Sequence, residues 1–170
     1  MRHLAERGKR YILLTNGLLI NEPTADELAR HAQKVVVSLN GATQATHERV
    51  NVGSSWPRVL ENVARLRGRR DQLGSQMELV VRITLVPENL EDVAESLRSF
   101  QRWGFDSINF GYDRRTVPAV LAANPERTRR WRDAIQAALE AAPAGRVDSH
   151  RLRLIGLVHG DGGARGQGTA

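Results

Sequence analysis

The sequence predicts an α/β fold built on a parallel sheet. Three observations carry this expectation. Short apolar runs recur along the chain, amphipathic helical patterns lie between them, and most of the runs are apolar throughout rather than alternating. Continuous apolar character suits strands covered on both faces, and strands that alternate with helices imply βαβ crossovers.

The first strand is expected over residues 11–15, Tyr-Ile-Leu-Leu-Thr, closed by Asn16 and Gly17. A helix follows, with Thr24 and Glu27 spaced as a capping box. Residues 35–39 form the second strand, Val-Val-Val-Ser-Leu, bounded by Asn40 and Gly41. Thr43 is expected to cap the turn holding His47. The next helix, 56–67, brings Val59, Leu60, Val63 and Leu66 to one face and has Pro57 early, where a helix tolerates it. The third strand covers 78–86 and ends at Pro87. A helix over 89–103, capped by Asn89, places Leu90, Val93, Leu97 and Phe100 together and stops at Gly104. The fourth strand is 107–112. A further helix over 127–142 ends at Pro143 and Gly145, and 151–158 is a short apolar segment that reads as a strand candidate. From Gly160 the chain is glycine-rich without apolar periodicity. The expected organisation is a main unit over 1–113, a helical extension over 114–158 and a disordered tail over 159–170.

Composition narrows the chemistry. The 170 residues suffice for one hydrophobic core, and no apolar run approaches a membrane span. The opening Met-Arg-His-Leu-Ala-Glu-Arg has no apolar h-region, so the expected compartment is the cytoplasm. The chain has no cysteine, which removes disulfides, thiolate nucleophiles and thiolate-held clusters from its own resources. The net charge is +6, carried almost wholly by arginine, since Lys9 and Lys34 are its lysines. Aromatic residues are few and are not interleaved with the basic ones, so a stacking platform for nucleic acid is not expected. The five histidines show no metal-ligand spacing, and no Walker loop, dinucleotide fingerprint or Ser-His-Asp order appears.

In parallel α/β sheets, ligands sit beyond the carboxyl ends of the strands. The polar residues there are Thr15 and Asn16 after the first strand, Ser38 and Asn40 after the second, Glu88 and Asn89 after the third, and Tyr112 and Asp113 after the fourth. Such residues also make turns and caps, so position alone leaves both roles open.

Three segments, in this order and spacing, resemble the radical S-adenosylmethionine (radical SAM) superfamily. They are Ile12-Leu13-Leu14-Thr15-Asn16-Gly17; then Val36-Val37-Ser38-Leu39-Asn40-Gly41-Ala42-Thr43, with His47-Glu48 and Val59-Leu60-Glu61-Asn62-Val63; then Val81 to Asn89, with the helix exit Gly104-Phe105-Asp106. The Ser-Leu-Asn-Gly-Ala-Thr wording leans toward the peptide-modifying subgroup with a C-terminal cluster-binding (SPASM-type) extension. The resemblance implies an incomplete TIM-type (βα) barrel with parallel strands and outer helices, matching the family's third through sixth strands. The family's first two strands, which carry CxxxCxxC and the Gly-Gly-Glu segment, would precede Met1.

The resemblance also implies roles. Thr15 and Ser38 would face S-adenosylmethionine from adjacent strand ends on one concave face, with Asn16 and Asn40 beside them. Where many relatives place an Arg four residues after the His, this sequence has Asn51, with Arg49 two positions earlier. Leu85 and Val86 would contact the adenine. The complete enzymes hold a [4Fe-4S] cluster on three thiolates and cleave S-adenosylmethionine to a radical. The expectation for this chain alone is no cluster and no catalysis, with the missing barrel half as partner and a peptide or small molecule as substrate. A non-catalytic barrel fragment acting as a binding module is the alternative, followed by an arginine-rich nucleic-acid-binding domain.

Overall fold

The computed structural model describes residues 10–159. Five parallel strands lie side by side in sequence order, β1 (Tyr11–Thr15), β2 (Ala32–Ser38), β3 (Glu78–Leu85), β4 (Ser107–Tyr112) and β5 (Val147–Asp148). An all-parallel sheet with sequential strand order and a crossover between each pair is an arc of a βα barrel. The helices are α1 (Glu22–His31), α2 (Gln44–Val50), α3 (Trp56–Gln72), α4 (Val93–Ser99), α5 (Val117–Ala123), α6 (Pro125–Glu140) and α7 (His150–Leu154), with a 3-10 turn over Pro87–Asp92. No described helix is long and apolar enough to cross a membrane.

Strand register sorts the side chains onto two faces. Leu13 pairs with Val35 and Thr15 with Val37; Val35 and Val37 pair with Leu79 and Val81, and Val81 with Ile108. Of this set, Val35, Val37, Leu79, Val81 and Ile108 are buried and join Leu28, Val59, Val63, Leu66, Leu97 and Phe100 in one core beneath the helices. The alternate set faces the other way: Leu14, Val36 and Val80 form one row, and Ser38, Arg82, Asn109 and Asp148 the next. That second face carries Lys34, Glu78, Arg82 and Thr84 among its polar groups, and Ile12 and Leu14 at its β1 edge are 61% and 62% exposed. Helices therefore cover one side of the sheet, as the convex side of a barrel wall is covered.

Several elements differ from the sequence expectation. The first helix starts at Glu22 and not behind Thr24; Asn21 Oδ1 accepts from the Thr24 N–H at 3.0 Å, and Pro23 occupies the first turn. An asparagine cap followed by proline outweighs the Thr24–Glu27 spacing. At its other end α1 passes into β2 without a loop: Ala32 follows His31, is extended, and still donates its N–H to Leu28 O. The 56–67 helix runs on to Gln72, carried by arginine-rich turns with good intrinsic propensity. Asn89 does not cap a long helix. It is buried in the 3-10 turn, accepts from the Val86 N–H and donates to Asn40 O and Thr84 O.

The C-terminal part adds more than helices. Val147–Asp148 pairs with Ile108 and Asn109, so the sheet has five strands where four were expected. Residues 151–158 contain a helical turn, His150–Leu154, and not a strand; Leu152 enters the core fully buried. The short helix Val117–Ala123 was not foreseen. Of the expected 159–170 tail, all but His159 lies outside the described residues.

Candidate functional site

The carboxyl ends of β1 and β2 open on a cavity of about 310 Å³ lined by Asn16, Ser38, His47, Asn51 and Ser54, with Leu18 at its rim. Larger furrows of about 620 and 870 Å³ run over the outer helical side, along α1 and α3. The strand-end cavity is the candidate site, because convergent polar groups and the carboxyl ends of parallel strands coincide there.

The loop after β1 is held by one glycine and one asparagine. Gly17 has φ +78°, and a Cβ there would meet Val59 Cγ1 at 3.0 Å and Val37 Cγ1 at 3.1 Å. Buried Asn62 on α3 donates Nδ2 to Gly17 O at 2.8 Å and to Leu18 O at 3.1 Å. The helix asparagine thus satisfies carbonyls that the turn leaves unpaired. The loop after β2 is held by a polar network. Asn40 Oδ1 accepts from the Thr84 N–H at 2.8 Å, and Asn40 Nδ2 donates to Asn51 Oδ1 at 3.0 Å. Asp92 Oδ2 accepts from the Ala42 N–H at 2.7 Å. A Cβ on Gly41 would lie 2.6 Å from His47 N, so glycine lets α2 pack against the strand exit.

His47 is 1% exposed and forms the back wall. Its Nε2 and Ser54 Oγ are 2.8 Å apart, and its Nδ1 and Asn51 Nδ2 3.2 Å apart. The Trp56 ring packs on it at a centroid distance of 5.5 Å. Burial holds the imidazole below its ordinary pKa, only partly opposed by the Glu48 carboxylate. The neutral ring is therefore a structural hydrogen-bonding node. Thr43 caps α2 as expected, accepting from the Thr46 N–H at 3.2 Å.

The structure redistributes the candidate residues. Asn16, Ser38 and Asn51 line the cavity, with Asn40 directly behind Asn51. Thr15 does not share Ser38's face: its register partner is the core residue Val37, and its Oγ1 accepts from the Gly17 N–H at 3.1 Å. The strand alternation puts neighbours on opposite faces, so the expectation of a common concave face for Thr15 and Ser38 is corrected, and Asn16 stands beside Ser38 instead. The Leu85 side chain is buried in the helix-side core, and Val86 is half-buried with its N–H bonded to Asn89 Oδ1. At Leu85 only backbone is left for a ligand. His47 was the one histidine whose place after a strand end suggested a site role; Ser54 and Arg82 were not singled out, and the charged residue inside a largely apolar strand was the signal for Arg82.

The sequence profile of the Radical SAM superfamily matches residues 1–100. The chain belongs to the radical SAM superfamily. Comparison with curated protein sequences finds no match. Among solved structures, the chain is similar to the crystal structure of the HMG-CoA lyase from Brucella melitensis, at 19% identity and a TM-score of 0.49. That alignment covers 81% of this chain and 46% of the lyase, so the chain spans under half the length of that protein.

Membership of the radical SAM superfamily implies S-adenosylmethionine and a [4Fe-4S] cluster in the complete enzymes. The two groups fare differently against these residues. A cluster needs thiolates, and the chain has none; nor do the described residues hold a group of His, Asp or Glu side chains fit for a metal. The cluster does not fit this chain's donor set. S-adenosylmethionine is rich in hydroxyl, amine and carboxylate groups, and the polar lining of the cavity is of the chemistry that could hold such groups. Asn51 and His47 are already engaged with each other, whereas the Ser38 hydroxyl has no partner among the described residues and Asn16 uses only its Oδ1, on the Leu18 N–H.

Proposed function

We propose that this chain forms the S-adenosylmethionine-binding side of a radical SAM barrel and that cysteines from another chain segment supply the cluster. The observation that carries this reading is the pairing of Ser38 and Asn16 over one strand-end cavity in a chain of this superfamily. Ser38 Oγ and Asn16 Nδ2 are the groups that would hold ribose or amino-acid oxygens. Asn40, Asn51 and His47 would keep the loops in place.

The β1 edge supports the second half of the proposal. β1 pairs with β2 alone among the described strands, leaving backbone donors and acceptors open beside exposed Ile12 and Leu14. A further parallel strand on that edge would extend the arc in the direction where the family keeps its cysteine loop. On this reading the chain alone neither holds a cluster nor cleaves S-adenosylmethionine.

Calorimetric titration with S-adenosylhomocysteine, which keeps the nucleoside and amino-acid groups, tests the site. Binding is expected, and Ser38→Ala should weaken it roughly threefold to tenfold, the worth of one hydrogen bond. Absence of binding at millimolar ligand, or affinity unchanged from the parent chain in both Ser38→Ala and Asn16→Ala, would overturn the proposal.

A further inference from the structure

Arg82 stands in the middle of the sheet, on β3 between β2 and β4, and its register partners Ser38 and Asn109 put it on the helix-free face. A charged residue in the middle of a strand, flanked by Leu79, Val80, Val81, Ile83 and Leu85, needs a reason. Its side chain is exposed, and among the described residues its guanidinium has no hydrogen bond or ion pair. The neighbouring Lys34 differs in this respect, since Glu78 neutralises it at 2.8 Å and Ser107 Oγ donates to the same carboxylate.

The side chain leans toward Gly111. A Cβ on that residue would lie 3.0 Å from Arg82 Nη2, 3.7 Å from Arg82 Cζ and 3.6 Å from Thr84 Oγ1. The guanidinium therefore lies over β4, close against Gly111. A glycine inside a strand weakens it and marks a close approach. Beside it, Asn109 Oδ1 is buried and has no hydrogen-bond partner. A fork of free N–H donors thus lies beside an unsatisfied carboxamide, with the Thr84 hydroxyl on the next row. The Asp148 carboxylate is the acidic group on the same row; it is turned to the His150 N–H and makes no ion pair with Arg82.

We infer that Arg82, Asn109 and Thr84 form a subsite for a substrate carboxylate with an adjacent N–H, as at the C-terminal residue of a peptide or an acylated amino acid. The guanidinium takes the carboxylate through paired N–H donors, and Asn109 Oδ1 accepts the neighbouring N–H. This assignment rests on the radical SAM reading of the same strand-end face and names the substrate class for it. The subsite is distinct from the Ser38 cavity. Arg82 leans toward β4, and β4 is two strand spacings from β2, roughly 10 Å. A molecule held there would lie beside the cofactor position, where a hydrogen-abstracting group needs its target.

The test is titration of the ¹⁵N-labelled chain with N-acetylglycine, inorganic phosphate and S-adenosylhomocysteine, followed by the Arg82 Nε–H and Asn109 side-chain resonances. N-acetylglycine is expected to shift both, with saturation on the order of millimolar, as suits a fragment of few atoms. Arg82→Gln, at an exposed position, should weaken that binding at least tenfold and leave S-adenosylhomocysteine affinity unchanged. Tighter binding of phosphate than of N-acetylglycine would overturn the carboxylate assignment. S-adenosylhomocysteine that shifts Arg82, or loses affinity in Arg82→Gln, would overturn the separate subsite by making it part of the cofactor site. Failure of the radical SAM reading itself shows elsewhere, as absent S-adenosylhomocysteine binding or indifference to Ser38→Ala.

Discussion

Asn40 donates its side-chain N–H to the Oδ1 of Asn51 at 3.0 Å, while its own Oδ1 accepts the backbone N–H of Thr84 at 2.8 Å. One side chain thereby ties the exit of β2 to the end of α2 and to the last turn of β3. Asn40→Ala leaves the Thr84 N–H and the Asn51 carbonyl without these partners. The expected loss is about 2 kcal/mol in urea unfolding, since stranded buried groups lose more than the bond's net worth. A loss below about 0.5 kcal/mol, the range of ordinary surface changes, would show that water replaces the side chain.

Gly17→Ala tests the turn after β1. The substitution combines a left-handed backbone, at φ +78°, with a Cβ pressed against Val59 and Val37. Strain of about 1–2 kcal/mol and overpacking of about 1–3 kcal/mol are expected together. Chemical denaturation reads the sum, and Gly53→Ala, at φ +82° with open space around its Cβ, isolates the backbone part.

His47 makes stability depend on pH in a stated direction. Its folded-state pKa is depressed by burial, so below its ordinary value near 6.5 the unfolded chain takes up a proton that the folded chain does not. The contribution is complete above that value and is lost as the pH falls through it toward the folded-state pKa. The melting temperature should therefore fall between pH 7.5 and 5.5, and His47→Gln should flatten that part of the profile. An unchanged slope in His47→Gln would assign the effect to other groups.

Reconstitution of the chain alone with iron and sulfide should give colourless protein, because the chain has no cysteine. Brown protein with cluster absorbance and formation of 5′-deoxyadenosine would contradict this. Co-expression with a segment carrying CxxxCxxC is the complementary measurement, and joint purification is the expected result.

Much of this arrangement was legible in the residues. The runs at 11–15 and 107–112 gave their strands at the observed bounds, because β-branched and apolar residues end there against glycine, asparagine or aspartate. Val147–Asp148 was not legible: two residues carry no periodicity, and only the open edge of β4 makes them a strand. Ser38, Asn16 and Asn51, named from strand ends and motif order, line one cavity. Thr15 was misplaced because a motif gives neighbours in sequence, whereas the pleat sends Thr15 and Asn16 apart. The weight of Arg82 was not legible, since a charge in mid-strand acquires meaning only when register shows which face it occupies.

The direct passage from His31 into Ala32 has a consequence for how this chain can tolerate changes of length. With no loop to absorb it, one added residue there would advance β2 by one step and exchange its two faces. Val35 and Val37 would turn out into the concave side, and Ser38 would be driven under the helices. The opposite, carboxyl ends of the strands are joined by loops that can lengthen without moving a strand. Insertions should accordingly be accepted at 52–53, where Val52 is exposed and Gly53 has open space around it, and refused at 31–32, so that a binding loop can diverge over a wall whose lower rim stays fixed in register.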